Sequence, residues 1–134
     1  MNYDQALAHP MGANFREAVF ILKYQPMYKL FVEAGYIHVM KGLDSNSRVR
    51  HYGGNILDTY LKRPHDYGNK IGQGAQTNYT LLFFNLSYMA YHNVWVDLRY
   101  NLRTVRSDLA RFNADCNWFQ VGLRVNLTMR PYDF

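Results

Sequence analysis

Cysteine is nearly absent: Cys116 stands alone among 134 residues, which excludes an internal disulfide framework. Charge is scarce, with Asp, Glu, Lys and Arg making up only 19% of the chain, low for a soluble cytosolic protein. No run of about 18 apolar residues occurs, which excludes a transmembrane helix. The opening "MNYDQALAHPMG" has neither a basic n-region nor an apolar h-region and does not read as a signal peptide. No internal repeat, low-complexity tract or linker interrupts the chain, so residues 1–134 read as one unit. What is abundant is tyrosine, twelve residues, with eight phenylalanines; aromatics reach 16%. Low charge with many aromatics suits a membrane barrel with aromatic girdles. The net charge of +5 fits an acidic partner, nucleic acid or a basic lumen.

The pattern predicts an all-β chain: an antiparallel up-and-down meander of five long strands, part of a transmembrane β-barrel. The last strand shows it best. From Phe119 to Met129 the odd residues Phe119, Val121, Leu123, Val125, Leu127 and Met129 are apolar, and the even ones are polar or glycine. A two-residue period means an extended strand with two unlike faces. Similar alternation runs through residues 14–25, where Ala18, Phe20, Leu22 and Tyr24 share a face, although Val19 and Ile21 blur it. It continues in 28–41 with Leu30, Val32, Ala34 and Tyr36, in 77–91 with Leu82, Phe84, Leu86 and Tyr88, and in 94–104 with Val94, Val96, Leu98, Tyr100 and Leu102. These segments exceed the usual globular strand of about 5 or 6 residues and match the roughly 9 to 11 needed to span a membrane.

Connection lengths alternate. "QPMY", with Pro26 pre-setting φ, and "YHN" read as tight turns, whereas residues 42–76 and 105–115 read as longer loops. Outer-membrane barrels have short periplasmic turns and longer outside loops. Single-chain bacterial barrels have even strand numbers from about 8 upward, so five strands read as the C-terminal segment of a larger barrel. The missing N-terminal strands, or a partner barrel chain, and outer-membrane lipid are then the expected partners.

At "LAHPMGANFRE", with "YGGNI", "DYGNKIGQG" and the terminal Phe134, the chain resembles the C-terminal region of a Bacteroidetes outer-membrane barrel family of the gliding-motility-associated RemB-like or capsule-assembly Wzi-like kind. The resemblance implies a bacterial outer-membrane location. It also implies a cell-surface role in gliding and adhesin display or in polysaccharide handling. In such barrels the assembly signal keeps its hydrophobics in phase with a terminal aromatic. Here Arg130 and Pro131 intervene, and Tyr132 and Phe134 fall in the other phase.

Two residue sets carry any function. Glu33, Asp97, Arg99, Arg103 and Arg124 fall on the polar faces and form an expected lumen wall. Such a wall either attracts anions or pairs internally across strands. The long loop interleaves Arg48, Arg50, His51, Lys62 and Arg63 with Tyr52, Tyr60 and Tyr67, a combination suited to sugars, acidic polysaccharide or single-stranded nucleic acid, or to a structured loop packed on itself; the resemblance implies polysaccharide or a surface adhesin as its partner. Catalysis is not expected. Cys116 has no nearby base, "GNKIGQG" lacks the end of a phosphate loop, and His51, His65 and Asp66 do not have compact metal-ligand spacing. No cofactor, no metal and no nucleic-acid partner is expected of the barrel. The competing reading is a soluble basic β-sandwich or barrel that binds polysaccharide or nucleic acid.

Overall fold

The computed structural model describes residues 9–44, 51–55 and 59–126. Within them β1 (Phe15–Met27), β2 (Leu30–Leu43), β3 (Ala75–Tyr91), β4 (Val94–Ser107) and β5 (Ala114–Val125) form one antiparallel sheet in the order β1-β2-β3-β4-β5. Each strand pairs with its sequence neighbour, so the expected meander is the observed fold. The two tight turns, Tyr28-Lys29 and His92-Asn93, lie at one end, and the longer connections lie at the other. Asn93 takes a φ of 63°, a left-handed conformation that asparagine tolerates better than most residues.

Several boundaries differ from the sequence reading. Pro26 is not in the first turn. It lies in β1, where the register with β2 shifts between Tyr24 and Met27. A proline has no N–H for the ladder, and an irregularity on an outermost strand is where it is tolerated. The fifth strand starts at Ala114, inside the segment read as a loop, and the fourth continues to Ser107. Pairing persists from Val105↔Ala114 onward although the apolar alternation begins only at Phe119. The second loop therefore shrinks to 108–113 and contains a 3-10 turn, Ala110–Phe112. Residues 127–134, with the C-terminal signal, lie outside the described residues.

Directly paired residues share a face, so the register sorts the side chains. One face carries the rows Tyr24–Val32–Leu86–Leu98–Val121, Leu22–Ala34–Phe84–Tyr100–Phe119 and Phe20–Tyr36–Leu82–Leu102–Asn117. Asn117 apart, these three rows are apolar across all five strands. The face is also bare: Leu22 and Phe20 are 67% exposed, Phe119 65% and Leu123 70%. The other face is mixed. Toward the turns it combines Glu33, Asp97, Arg99 and Arg124 with Phe31, Met89 and Trp95, and toward the loops it holds Ile37, Val39, Leu81, Phe83 and Val105. The buried strand side chains Val39, Ala75, Thr77 and Val105 all belong to it. Gly35 is buried there too, beneath the ring of its β3 partner Phe83.

The loop end is tied down by polar contacts. Asn14, at φ 57°, donates from Nδ2 to the carbonyls of Gly42 (3.2 Å) and Gln73 (2.9 Å), and its Oδ1 accepts from the Gly72 N–H (2.8 Å). Asp44 accepts the Tyr52 N–H at 2.6 Å and the Asn55 N–H at 3.3 Å. The chain entering β1 crosses the mixed face. His9 stacks on Phe15 at 4.6 Å and meets Glu17 at 3.0 Å, while Lys41 donates to the Met11 carbonyl at 2.5 Å.

Candidate functional site

The five residues expected on a common wall do share the mixed face. Glu33, Asn85, Arg99 and Gln120 form one row, with Lys23 at its β1 end. Asp97 lies one row nearer the turns, between Ser87 and Gly122, and Arg124 pairs with Trp95 one row further. Toward the loops, Asn101 sits between Phe83 and Trp118, and Arg103 between Leu81 and Cys116.

Asp97 is the most elaborately held group. Its Oδ1 accepts from Ser87 Oγ at 2.6 Å and from Arg124 Nη2 at 3.2 Å, and its Oδ2 lies 3.2 Å from Arg124 Nε. The two guanidinium contacts form a fork, the geometry in which arginine and carboxylate match best. Arg124 reaches diagonally across β4, with its guanidinium 5.3 Å from the Trp95 ring centroid, and Trp95 in turn lies 5.4 Å from Phe31. The Asp97 side chain is only 12% exposed, against 54% for Arg124. Glu33 stands 3.9 Å from Lys23, a looser pair. Pairing of a wall carboxylate with a wall arginine is thus seen for Asp97 with Arg124, whereas Glu33 meets Lys23 of β1 rather than an arginine. Arg99 and Arg103 are exposed on the same face.

The loop set is only partly brought together. His51, Tyr52 and Arg63 line an open cleft of about 500 Å³ with Asn14, Asn55, Thr59, Asn69, Lys70 and Gln73. Arg63 is braced by Asp66 at 2.6 Å. Lys62 contributes its carbonyl to the His51 N–H at 3.1 Å but does not line the cleft. Tyr67 is 91% exposed and stands apart from it. Arg48 and Arg50, and the Tyr60 side chain, lie outside the described residues, although the Tyr60–Lys62 backbone forms a 3-10 turn. Among the described residues no group of three or more His, Cys, Asp or Glu side chains is placed to hold a metal ion.

Sequence reasoning missed Asn14, Asp44 and Ser87. Ser87 was readable only through its register with Asp97. Asn14 and Asp44 stand at strand ends, where polar side chains commonly tie loop backbone, but nothing local names the carbonyls and amides they reach.

The fold and wall define an all-β meander with one bare apolar face and one mixed face that carries a charged wall. No family model matches the chain, and no significant match was found among curated proteins or solved structures.

Proposed function

We propose that this chain is a segment of a non-enzymatic bacterial outer-membrane β-barrel with a cell-surface role in gliding and adhesin display or in polysaccharide handling. One observation carries the reading: three rows of side chains, apolar except for Asn117, cross all five strands on one face, and among the described residues nothing covers them. Burying a large apolar side chain contributes about 1.5–3 kcal/mol. Leaving the whole face in water forgoes tens of kcal/mol, more than the roughly 5–15 kcal/mol that holds a domain folded. Lipid supplies that cover.

The dimensions agree. In β4 the apolar face runs from Val94 to Leu102, eight residue steps or about 27 Å at ~3.4 Å each. A strand tilt of about 40° reduces this to roughly 21 Å, close to the band of about 25 Å on barrel exteriors. The open edges of β1 and β5 require further strands, from the same polypeptide or a partner chain, because an unpaired edge does not persist in lipid. The surface role rests on the loop cleft, where Tyr52, amide side chains and the cations of Arg63 and Lys70 converge. Such a lining suits polysaccharide or an adhesin surface.

Lipid-side labelling tests the proposal. In the full-length, membrane-assembled protein with Cys116 replaced, a cysteine at Val121 or Val125 should react with a bilayer-soluble probe. Protection of both positions, or folding of the full-length protein in buffer without detergent, would favour a soluble sandwich instead.

A further inference from the structure

The charges on the mixed face do not cancel. Glu17 meets His9, Glu33 meets Lys23, and Asp97 is forked by Arg124. Among the described residues no carboxylate lies within ion-pair distance of Arg99 or Arg103. Both belong to β4 and stand four residues apart on one face, about 14 Å along the strand. Asn101 lies between them, flanked by Trp118. Beside Arg99 the wall has a hollow of about 110 Å³ lined by Asp97, Arg99, Gln120 and Gly122. Gly122 leaves the place of a side chain open directly opposite Asp97.

From this geometry we infer that Arg99, with Gln120 beside it, is an anion-binding site on the inner wall of the barrel, continued toward the loops by Asn101 and Arg103, and that it takes the phosphate or carboxylate group of a solute. The inference rests on the barrel reading, which turns this face away from lipid.

Three features support it. The hollow admits one small oxyanion. The Asp97 carboxylate at its rim is neutralised by Arg124, so it does not repel an anion as a free carboxylate would. Gln120 offers an amide N–H₂ next to a guanidinium fork that matches oxyanions. Asp97 also attracts Arg99 at longer range, but its single charge is already matched by Arg124, so this wall keeps a net positive charge that attracts a mobile anion. The spacing of the two arginines keeps them from sharing a single small anion. A solute bridging them is extended along the strand, and Trp118 offers a flat surface for its middle.

The test uses the full-length protein in detergent micelles, with inorganic phosphate as probe and acetate as competitor. Wild-type protein should bind phosphate saturably at about millimolar concentration. Arg99→Gln should weaken binding about tenfold, and Arg99→Gln with Arg103→Gln should abolish it. Arg99→Lys should retain part of it. Displacement by acetate would identify the site as one for oxyanions in general, and failure to displace as one for phosphate; either accords with the inference. Heat-modifiable migration on a gel confirms that each variant is folded. The inference is overturned if wild-type protein binds no phosphate, or if the double variant binds as well as wild type. An acidic group elsewhere in the barrel that already pairs the arginines would show as no phosphate binding together with a lower unfolding midpoint for the double variant, and that also overturns it. Labelling at Val125 on the same preparation keeps the outcomes apart. Labelled protein without phosphate binding sinks only the anion site, whereas protection at both Val121 and Val125 sinks the barrel.

Discussion

The ring of Phe83 lies over Gly35, its directly paired neighbour on β2, so closely that a Cβ on Gly35 would run into the ring. A strand glycine ordinarily weakens a sheet, because it has no side chain to pack. Here the aromatic ring of the next strand fills the gap. Gly35→Ala should lower the stability of the assembled protein by about 1–3 kcal/mol, the usual cost of overpacking. Adding Phe83→Leu should recover part of that loss by removing the obstructing ring. Urea unfolding of the three proteins checks both. An unaltered midpoint for Gly35→Ala would show that the ring moves freely aside.

The last strand separates two substitutions at adjacent positions. Leu123 lies on the bare apolar face and Arg124 on the mixed one. If that face meets lipid as proposed, Leu123→Arg should impair assembly severely, since an arginine on the lipid side near mid-membrane costs about 2–4 kcal/mol. Arg124→Gln should leave assembly intact. It removes the fork on Asp97 but leaves the Ser87 hydroxyl in place. Fractions of folded protein in isolated membranes should rank Arg124→Gln near wild type and Leu123→Arg far below. The reverse order would place lipid on the opposite face.

Asp97 and Arg124 should also couple energetically. In a double-mutant cycle with Asp97→Asn and Arg124→Gln, the interaction energy should fall within about 0.5–3 kcal/mol. A value near zero would mean that the forked geometry contributes nothing beyond an exposed surface pair.

Asn14 should govern the loop rather than the sheet. Asn14→Gly keeps the left-handed backbone but loses the contacts to Gly42, Gln73 and Gly72. Net losses of about 0.5–1.5 kcal/mol per hydrogen bond should raise protease cleavage within the 44–74 connection severalfold. The unfolding midpoint of the sheet should change little. Equal protease resistance in mutant and wild type would remove Asn14 as the anchor.

If the loop cleft carries the proposed surface role, deleting residues 44–70 should abolish binding of surface partners and leave membrane insertion intact, because the cleft goes and all five strands remain. A pull-down with surface polysaccharide or adhesin, paired with a membrane-fractionation assay, reads both. Binding that survives the deletion moves the contact site elsewhere.

The sheet was legible wherever one face met one chemistry. Phe84 to Tyr88 and Val96 to Leu102 alternate so regularly that their facing followed from parity alone. It was less legible where pairing outlasts patterning. Asp115, Cys116 and Asn117 belong to β5 through backbone bonds to β4, and their side chains carry no periodic signal. Pro26 suggested a turn by its local preference, but the register shift beside it lets β1 run on to Met27. The charged wall was readable as a set. Which members neutralise one another was not, because the fork of Arg124 on Asp97 is a diagonal contact that depends on the register of β4 against β5. In the loop, basic and aromatic content marked His51, Tyr52 and Arg63, and the fold alone excluded Tyr67 and Lys62 from the cleft.

The two outer strands differ in how they meet a stranger. Along β1, Lys23 and Pro26 blunt the exposed ladder, as edge strands of soluble proteins commonly do. Along Ala114–Val125 there is no proline and no lysine, and the alternating apolar side chains stand open. That edge is a ready template for another chain, including a second copy of itself. While that edge stays unpaired the segment is therefore an aggregation hazard in water. If the chain belongs to a barrel as proposed, its cellular yield is set by how quickly a chaperone or the barrel's remaining strands occupy β5, more than by the stability of the finished sheet.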